Sequence, residues 1–316
     1  MDTSATFSLL ESPNWHDYEL LDTGEGLKLE RFGPYTFIRP EVQAMWKKCL
    51  PVKEWEKAHA IFQPTNEESG GHWVFKKKVE DRWEMHYDLA PGAPSKQSSG
   101  APDKKEQIRF WAMTTPGRHL GFFPETAAQW EFILEAIRLK NVQTPMKVLN
   151  LFGYTGLASL TSALAGAQVT HVDASKKSVT WARENQSLSK LEDKPIRWIV
   201  DDALKFVERE GRRGVKYDGI LLDPPKFGRG PKGEVWEIYQ SLPEILFACR
   251  KLLNESSLFV ILTVYAVKLP AIHAYTALAD TLQGLGGSLE CGELVTQEKS
   301  AGRLLSQAVY ARWQAG

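Results

Sequence analysis

The sequence predicts an α/β fold, a doubly wound, mostly parallel sheet with an antiparallel hairpin at one edge, preceded by a smaller β-rich domain. Three observations carry this. Up to about residue 120 the apolar residues alternate with polar ones in short runs, the period of half-buried strands. After Gly121 the period lengthens, and Trp130, Ile133, Leu134 and Ile137 fall on one helix face. From residue 147 onward short apolar runs alternate with amphipathic stretches, the pattern of a parallel sheet covered by helices on both faces.

In the first domain, residues 1–120, strands are expected at 18–21, 27–31, 35–39, 73–78, 83–89 and 108–113. Residues 91–107, rich in Pro, Ser, Gly and Lys and without an apolar anchor beyond alanine, are expected to form a mobile loop. The second domain, residues 121–316, opens with a helix for which Thr126 and Gln129 supply a capping box. Strands at 147–151, 168–172, 196–200, 219–222 and 258–264 then alternate with helices at 157–164, 176–188, 203–209, 238–253 and 271–283. Two last strands, 288–296 and 304–313, are joined by the short polar link QEKSAGR and are expected to pair as the edge hairpin.

Composition excludes several classes. The 316 residues carry 39 basic and 39 acidic side chains, for a net charge of zero, so any polyanion must be held by local patches. No apolar run is long enough for a membrane helix, and MDTSATFSLLESPNW lacks the features of a signal peptide, so a cytoplasmic protein is expected. Cys49, Cys249 and Cys291 are too scattered for a disulfide framework or a CxxC site and are expected to be buried, reduced thiols. The histidines show no metal-ligand spacing, and no metal is expected. Trp15, Trp46, Trp55, Trp73, Trp83, Trp111 and Trp130 are read as core area in preference to base-stacking platforms.

In a doubly wound sheet the ligand sits beyond the carboxyl ends of the strands, where the strand order reverses. After the first strand of the second domain Asn150 closes the strand, and Gly153 and Gly156 bracket a tight turn with Phe152, Tyr154 and Thr155 around them. That spacing is not the GxGxxG that admits a pyrophosphate, and it suits a cofactor without phosphates. After the second strand come Asp173 and Ala174, a carboxylate placed to accept ribose hydroxyls, which by itself also suits NAD. After the third, Asp202 can accept an adenine N–H while the Ala203 amide donates to the ring. After the fourth comes DPPKF, residues 223–227.

The segments TTPGRHLGFFPET, VLNLFGYTG, HVDASKKSVTWARENQ, VDDALKF and YDGILLDPPKF, spread over residues 106–265, resemble the class I S-adenosylmethionine-dependent methyltransferases, and within them the bacterial large-subunit ribosomal RNA methyltransferases of the RlmI and RlmK type. The resemblance implies a seven-stranded Rossmann-like sheet and S-adenosyl-L-methionine as cofactor. It assigns Asn150–Gly156 to the methionine part, Asp173 with Ala174 to the ribose, Asp202 with Ala203 to the adenine, and Phe122 with Phe123 to a lid. Relatives that make 5-methylcytosine carry a cysteine after the fifth strand and a PUA domain before the β-rich one. Here the strand runs LTVYAVKL, with Tyr265 and no cysteine, and of the two N-terminal parts only the β-rich one is expected.

Without that thiol, Asp223 and the Pro224 carbonyl are the expected acceptors for a planar N–H, and Phe227 is the expected base-stacking ring. Lys226, Arg229 and Lys232 are expected to hold neighbouring phosphates of a ribosomal RNA. The cluster Arg209, Arg212, Arg213 and Lys216 is a second candidate for a phosphate track. The alternatives are a protein or small-molecule acceptor, an NAD-dependent oxidoreductase on the same sheet, and an RNA-binding relative without turnover.

Overall fold

The structure is a computed structural model that describes residues 5–12, 14–65, 70–89, 106–140, 144–265 and 269–316. In chain order its strands are β1 (Thr6–Glu11), β2 (Tyr18–Gly24), β3 (Leu27–Phe32), β4 (Tyr35–Pro40), β5 (Ala60–Pro64), β6 (Gly71–Phe75), β7 (Trp83–Leu89), β8 (Glu106–Ala112), β9 (Lys147–Leu151), β10 (Gln168–Asp173), β11 (Ile196–Val200), β12 (Gly219–Leu222), β13 (Phe227–Arg229), β14 (Val235–Glu237), β15 (Phe259–Val264), β16 (Ser288–Gln297) and β17 (Leu304–Gln314). The helices are α1 (Val52–Trp55), α2 (Ala127–Leu139), α3 (Leu157–Leu164), α4 (Lys176–Leu188), α5 (Ala203–Arg212), α6 (Ile238–Arg250) and α7 (Ala271–Thr281). The chain divides into two compact units: Met1–Leu10 with Ala128–Leu294 and Gln307–Gly316, and Glu11–Ala127 with Val295–Ser306.

The larger unit is built on a sheet of order β1-β16-β17-β15-β12-β9-β10-β11. β15, β12, β9, β10 and β11 run parallel, and β17 pairs antiparallel with β15. The all-apolar runs GILL of β12 and FVILTV of β15 are buried throughout, because helices cover both faces of the central strands. A Cβ at Gly219 would meet the Phe259 ring at 2.3 Å, so glycine is what lets these two strands pack. The chain leaves β9 toward β10 and β11 and returns on the other side as β12, which puts the reversal of strand order between β9 and β12. Side-chain caps start the helices that follow: Ser175 accepts from Ser178 N, and Asp202 from Lys205 N.

The α/β class is as expected, with one strand more. β1 joins the edge beside β16, a strand that its exposed, mixed sequence TFSLLE does not announce. β5, β13, β14 and α1 are likewise additional, each three to five residues long. The expected capping box is corrected: a single 3-10 turn, Pro124–Thr126, precedes α2, and the Thr126 hydroxyl donates to the Phe123 carbonyl at 2.7 Å. Cys249 and Cys291 are buried as expected, whereas Cys49 is exposed. Of the expected loop 91–107, residues 91–105 lie outside the described residues, and Gln107 belongs to β8.

The smaller unit contains a sheet of order β2-β3-β4-β5-β6 and the antiparallel pair β7 and β8. Its core is aromatic, with Phe32 and Phe37 at 0% exposure and rings of Tyr18, Trp83 and Phe122 packed around them. None of the seven tryptophans read as core is exposed; Trp55, Trp83 and Trp130 are buried and the others half-buried. Among the described residues no helix is long and apolar enough to cross a membrane.

β1 explains a glycine and yields a prediction. A Cβ at Gly292 in β16 would fall 1.7 Å from the Ser8 carbonyl oxygen of β1. Gly292→Ala is expected to detach β1 while leaving the central strands paired. Hydrogen exchange checks this: amides of residues 6–11 should exchange at least tenfold faster, those of β15 should not change.

Candidate active site

The carboxyl end of β9 leads into a turn whose backbone leaves the ordinary regions, with Phe152 at φ 57°, Tyr154 at φ 48° and Gly156 at φ 86°. Left-handed residues in such number are uncommon outside glycine and mark a turn held by its surroundings. Amide hydrogen bonds hold it, among them Gly153 N–H to the Val172 carbonyl (3.1 Å), Gly156 N–H to the Gly153 carbonyl (2.9 Å), and Tyr154 N–H to Asp173 Oδ2 (3.0 Å). Gly156 is confined by packing as well, since a Cβ there would stand 2.8 Å from Ala182 and 3.2 Å from the Trp198 ring.

Below the turn lies a buried polar chain. Asn150 Nδ2 donates to Ser159 Oγ at 2.9 Å, and Ser159 Oγ is 3.0 Å from His171 Nδ1. His171 is fully buried beneath Gly153, and burial pushes its imidazole down to about 3. Asn150 and Thr155 are thus interior residues, 4% and 3% exposed, that brace the turn from within, and Asn185 Nδ2 donates to the Thr155 carbonyl. Sequence reasoning passed over His171, although its place inside the strand run QVTHVD, two residues before Asp173, is a visible signal.

Asp173 ends β10 half-buried, and both of its oxygens are oriented by backbone: Oδ1 accepts from Ser175 N (2.8 Å), Oδ2 from Tyr154 N (3.0 Å). Burial raises its carboxyl above the usual range, and these two amides hold it partly down. Each oxygen keeps acceptor capacity for one further donor. Ala174 beside it is half-buried. After β11, Asp202 spends one oxygen on the Lys205 amide (2.9 Å), and Ala203 is buried at 6%. The neighbouring Asp201 is tied to Arg209.

β12 brings the DPPKF residues alongside. Leu222 is the register partner of Leu151, so Asp223 and Phe152 leave the sheet next to one another. Asp223 is half-buried, Pro224 buried, and Phe227 exposed at 57%. Lys226 lies with its ammonium 5.3 Å from the Phe227 ring, and Arg229 and Lys232 are exposed on the same hairpin. This hairpin, β13 and β14, was missed because FGR and VWE are too short for a period to show. In the second basic cluster Arg209 pairs with Asp201, Arg213 with Glu210, and Lys216 donates to the carbonyls of Lys251 and Leu253, while Arg212 is exposed. Phe122 belongs to the smaller unit, 3% exposed among Trp15, Phe32 and Phe110. Phe123 is half-buried beside His119. Among the described residues no group of His, Cys, Asp or Glu could hold a metal ion.

No protein-family model matches the chain. It is similar over its full length to the crystal structure of the SAM dependent methyltransferase from Agrobacterium tumefaciens, 41% identical, covering 100% of this chain and 98% of that one at a TM-score of 0.87. Among curated proteins it is similar to a ribosomal RNA large subunit methyltransferase K/L from Shewanella frigidimarina, 37% identical over 109 residues, 34% of this chain and 15% of that protein. It is also similar to the ribosomal RNA large subunit methyltransferase I of Escherichia coli O139:H28, 33% identical over 115 residues, 36% of this chain and 29% of that protein. The chain therefore spans 15% and 29% of the lengths of these curated relatives.

The buried imidazole gives a pH dependence. His171 titrates near 6.5 when unfolded and near 3 when folded, so between those values the unfolded chain binds the additional proton and stability falls as pH falls. At pH 4.5 this contributes roughly 2–3 kcal/mol of destabilisation relative to pH 7.5. In urea unfolding, His171→Gln is expected to shrink the stability difference between pH 7.5 and 4.5 by about that amount; an unchanged difference would show that the ring is not buried neutral.

Proposed function

The chain belongs to the S-adenosylmethionine-dependent methyltransferases, and we propose that its acceptor is a nitrogen of an unpaired nucleobase in ribosomal RNA. The residues at the carboxyl edge fit the cofactor. Asp173 keeps acceptor capacity on both oxygens for the two ribose hydroxyls, the half-buried Asp202 keeps one oxygen beyond its capping bond, and the β9 turn has no glycine cradle for a pyrophosphate. Phe152–Gly156 would hold the methionine part. When bound, S-adenosylmethionine supplies the electrophilic methyl group.

The observation that carries the acceptor reading is the register of β12 on β9, which brings Asp223 of DPPKF out of the sheet beside the cofactor turn. An Asp carboxylate followed by a proline carbonyl offers two acceptors for one planar N–H group, and fixing that plane is most of what an in-line transfer requires of the protein. Asp223 takes up the proton that the nitrogen sheds on alkylation and passes it to solvent. Phe227, four residues on and 57% exposed, stacks on the base, and Lys226, Arg229 and Lys232 take the flanking phosphates. The names of the curated relatives support RNA as the acceptor class. A covalent pyrimidine route finds no support in the larger unit: Tyr265 follows β15, Cys249 is 2% exposed with its thiol pushed up by burial, and Cys291 is 1% exposed, pushed up by burial and by Glu290.

Two variants test the reading. Asp173→Ala removes a charged acceptor from two hydroxyls and is expected to weaken S-adenosylhomocysteine binding roughly 10- to 100-fold in calorimetry. Asp223→Ala is expected to leave that binding within about threefold while transfer of labelled methyl groups into RNA from cells lacking this gene falls at least about a hundredfold. Nuclease-resistant, protease-sensitive label with the wild-type chain would move the acceptor to protein; full activity of Asp223→Ala would remove its role.

A further inference from the structure

The hairpin β13 and β14 has two chemically different faces. Phe227 opposes Glu237, Gly228 opposes Trp236, and Arg229 opposes Val235. Opposed residues of an antiparallel pair share a face and successive ones alternate. Phe227 and Val235 accordingly face outward, 57% and 71% exposed, and Trp236 faces inward at 6%. The inward indole makes two contacts that no other side chain on the hairpin duplicates among those described: its Nε1–H donates to the Pro225 carbonyl at 2.7 Å, and its ring lies 4.7 Å from the Phe152 ring at 57°.

These contacts join two segments that the strand register places side by side. Pro225 is the middle of DPPKF and, as a proline, has no N–H with which to anchor itself, so its carbonyl is the handle available. Phe152 is the first residue of the cofactor turn and holds a left-handed backbone, φ 57°, which persists only where neighbours enforce it. Other ties of the hairpin among the described residues include the Ile238 N–H to the Lys226 carbonyl at 3.1 Å, the Gln240 N–H to Glu237 Oε2 at 3.0 Å and the Lys205–Glu234 pair at 2.6 Å, none of which reaches the turn after β9. The first two run within the segment 226–240, and the ion pair is solvent-exposed at Lys205 and correspondingly weak.

We infer that Trp236 is a positioning residue that couples the cofactor turn to the acceptor loop, so that occupation of the turn orders residues 223–237 before the acceptor arrives. Because such coupling is reciprocal, acceptor binding tightens the cofactor by the same factor. The inference rests on the reading of DPPKF as the acceptor loop, but its test needs no acceptor. Hydrogen exchange of the full chain is followed in peptides covering residues 223–237, with and without saturating S-adenosylhomocysteine, for wild type, Trp236→Phe and Trp236→Leu. In wild type the ligand is expected to slow exchange at least fivefold. Trp236→Phe keeps a ring against Phe152 but loses the donor to Pro225, and should retain an intermediate effect. Trp236→Leu should fall below twofold while still binding the ligand. No protection in wild type, or equal protection in all three, would overturn the coupling. Should Trp236→Leu fail to bind, Trp236→Phe decides alone, and undiminished protection there overturns it. A failed methyl-transfer assay on RNA would instead strike the acceptor assignment and leave this result standing.

Discussion

The carboxyl edge of the sheet depends on one close approach. A single carbon added at Gly153 would stand 2.4 Å from Cε1 and 2.5 Å from Nδ1 of His171, well inside van der Waals contact. Because nothing separates them, the turn after β9 lies directly on β10, near enough for the Gly153 and Tyr154 amides to reach Val172 and Asp173. The aim of the Asp173 carboxylate is therefore a consequence of a missing side chain two residues beyond β9. His171 is itself held by Ser159 from α3, so a strand, a turn and a helix meet on one neutral ring.

Buried charge serves different ends in the two units. In the smaller unit Glu30, fully buried, accepts two bonds from Arg39 at 2.6 Å and one from the Tyr18 hydroxyl at 3.0 Å. Burial alone would raise its carboxyl; Arg39 and Lys28 overcome that and hold it below the usual range. Asp22 is likewise surrounded, by the amides of Cys49 and Leu50, the Trp55 indole and the Ser300 hydroxyl. Such groups fix a geometry, since removing one partner would strand an uncompensated charge. Asp173 differs in that it is half-buried and that backbone amides orient both its oxygens. A shifted acidity is common to all three carboxylates; Asp173 is set apart by the acceptor capacity left on both its oxygens.

The same contrast sorts the basic residues. With net charge zero the chain has no long-range field for a polyanion, and local arrangement decides. Arg209, Arg213 and Lys216 are spent on Asp201, on Glu210 and on the carbonyls at the end of α6, where cations favour the helix terminus. Arg229 and Lys232 stand on a hairpin whose inner face is anchored and whose outer face is open. Clusters that look alike in sequence thus differ in how much of their charge is already paired.

Periodicity determined most of the fold. The alternation from residue 147 onward located β9 to β12 and their helices, because central parallel strands such as GILL are buried on both faces and read as unbroken apolar runs. The order of Gly153, Asp173, Asp202 and Asp223 after successive strands was equally legible, since strand ends in this topology converge on one edge. What a linear reading missed were elements whose cause is distant in the chain: β1, given its place by a glycine in β16; the capping of α2, replaced by a 3-10 turn; and the β13–β14 hairpin, folded inward by one tryptophan. Local pattern determines which residues want burial. Only tertiary structure decides which backbone approaches which, and here those approaches, Gly153 on His171 and Trp236 on Phe152, fix how the residues at the strand ends are oriented.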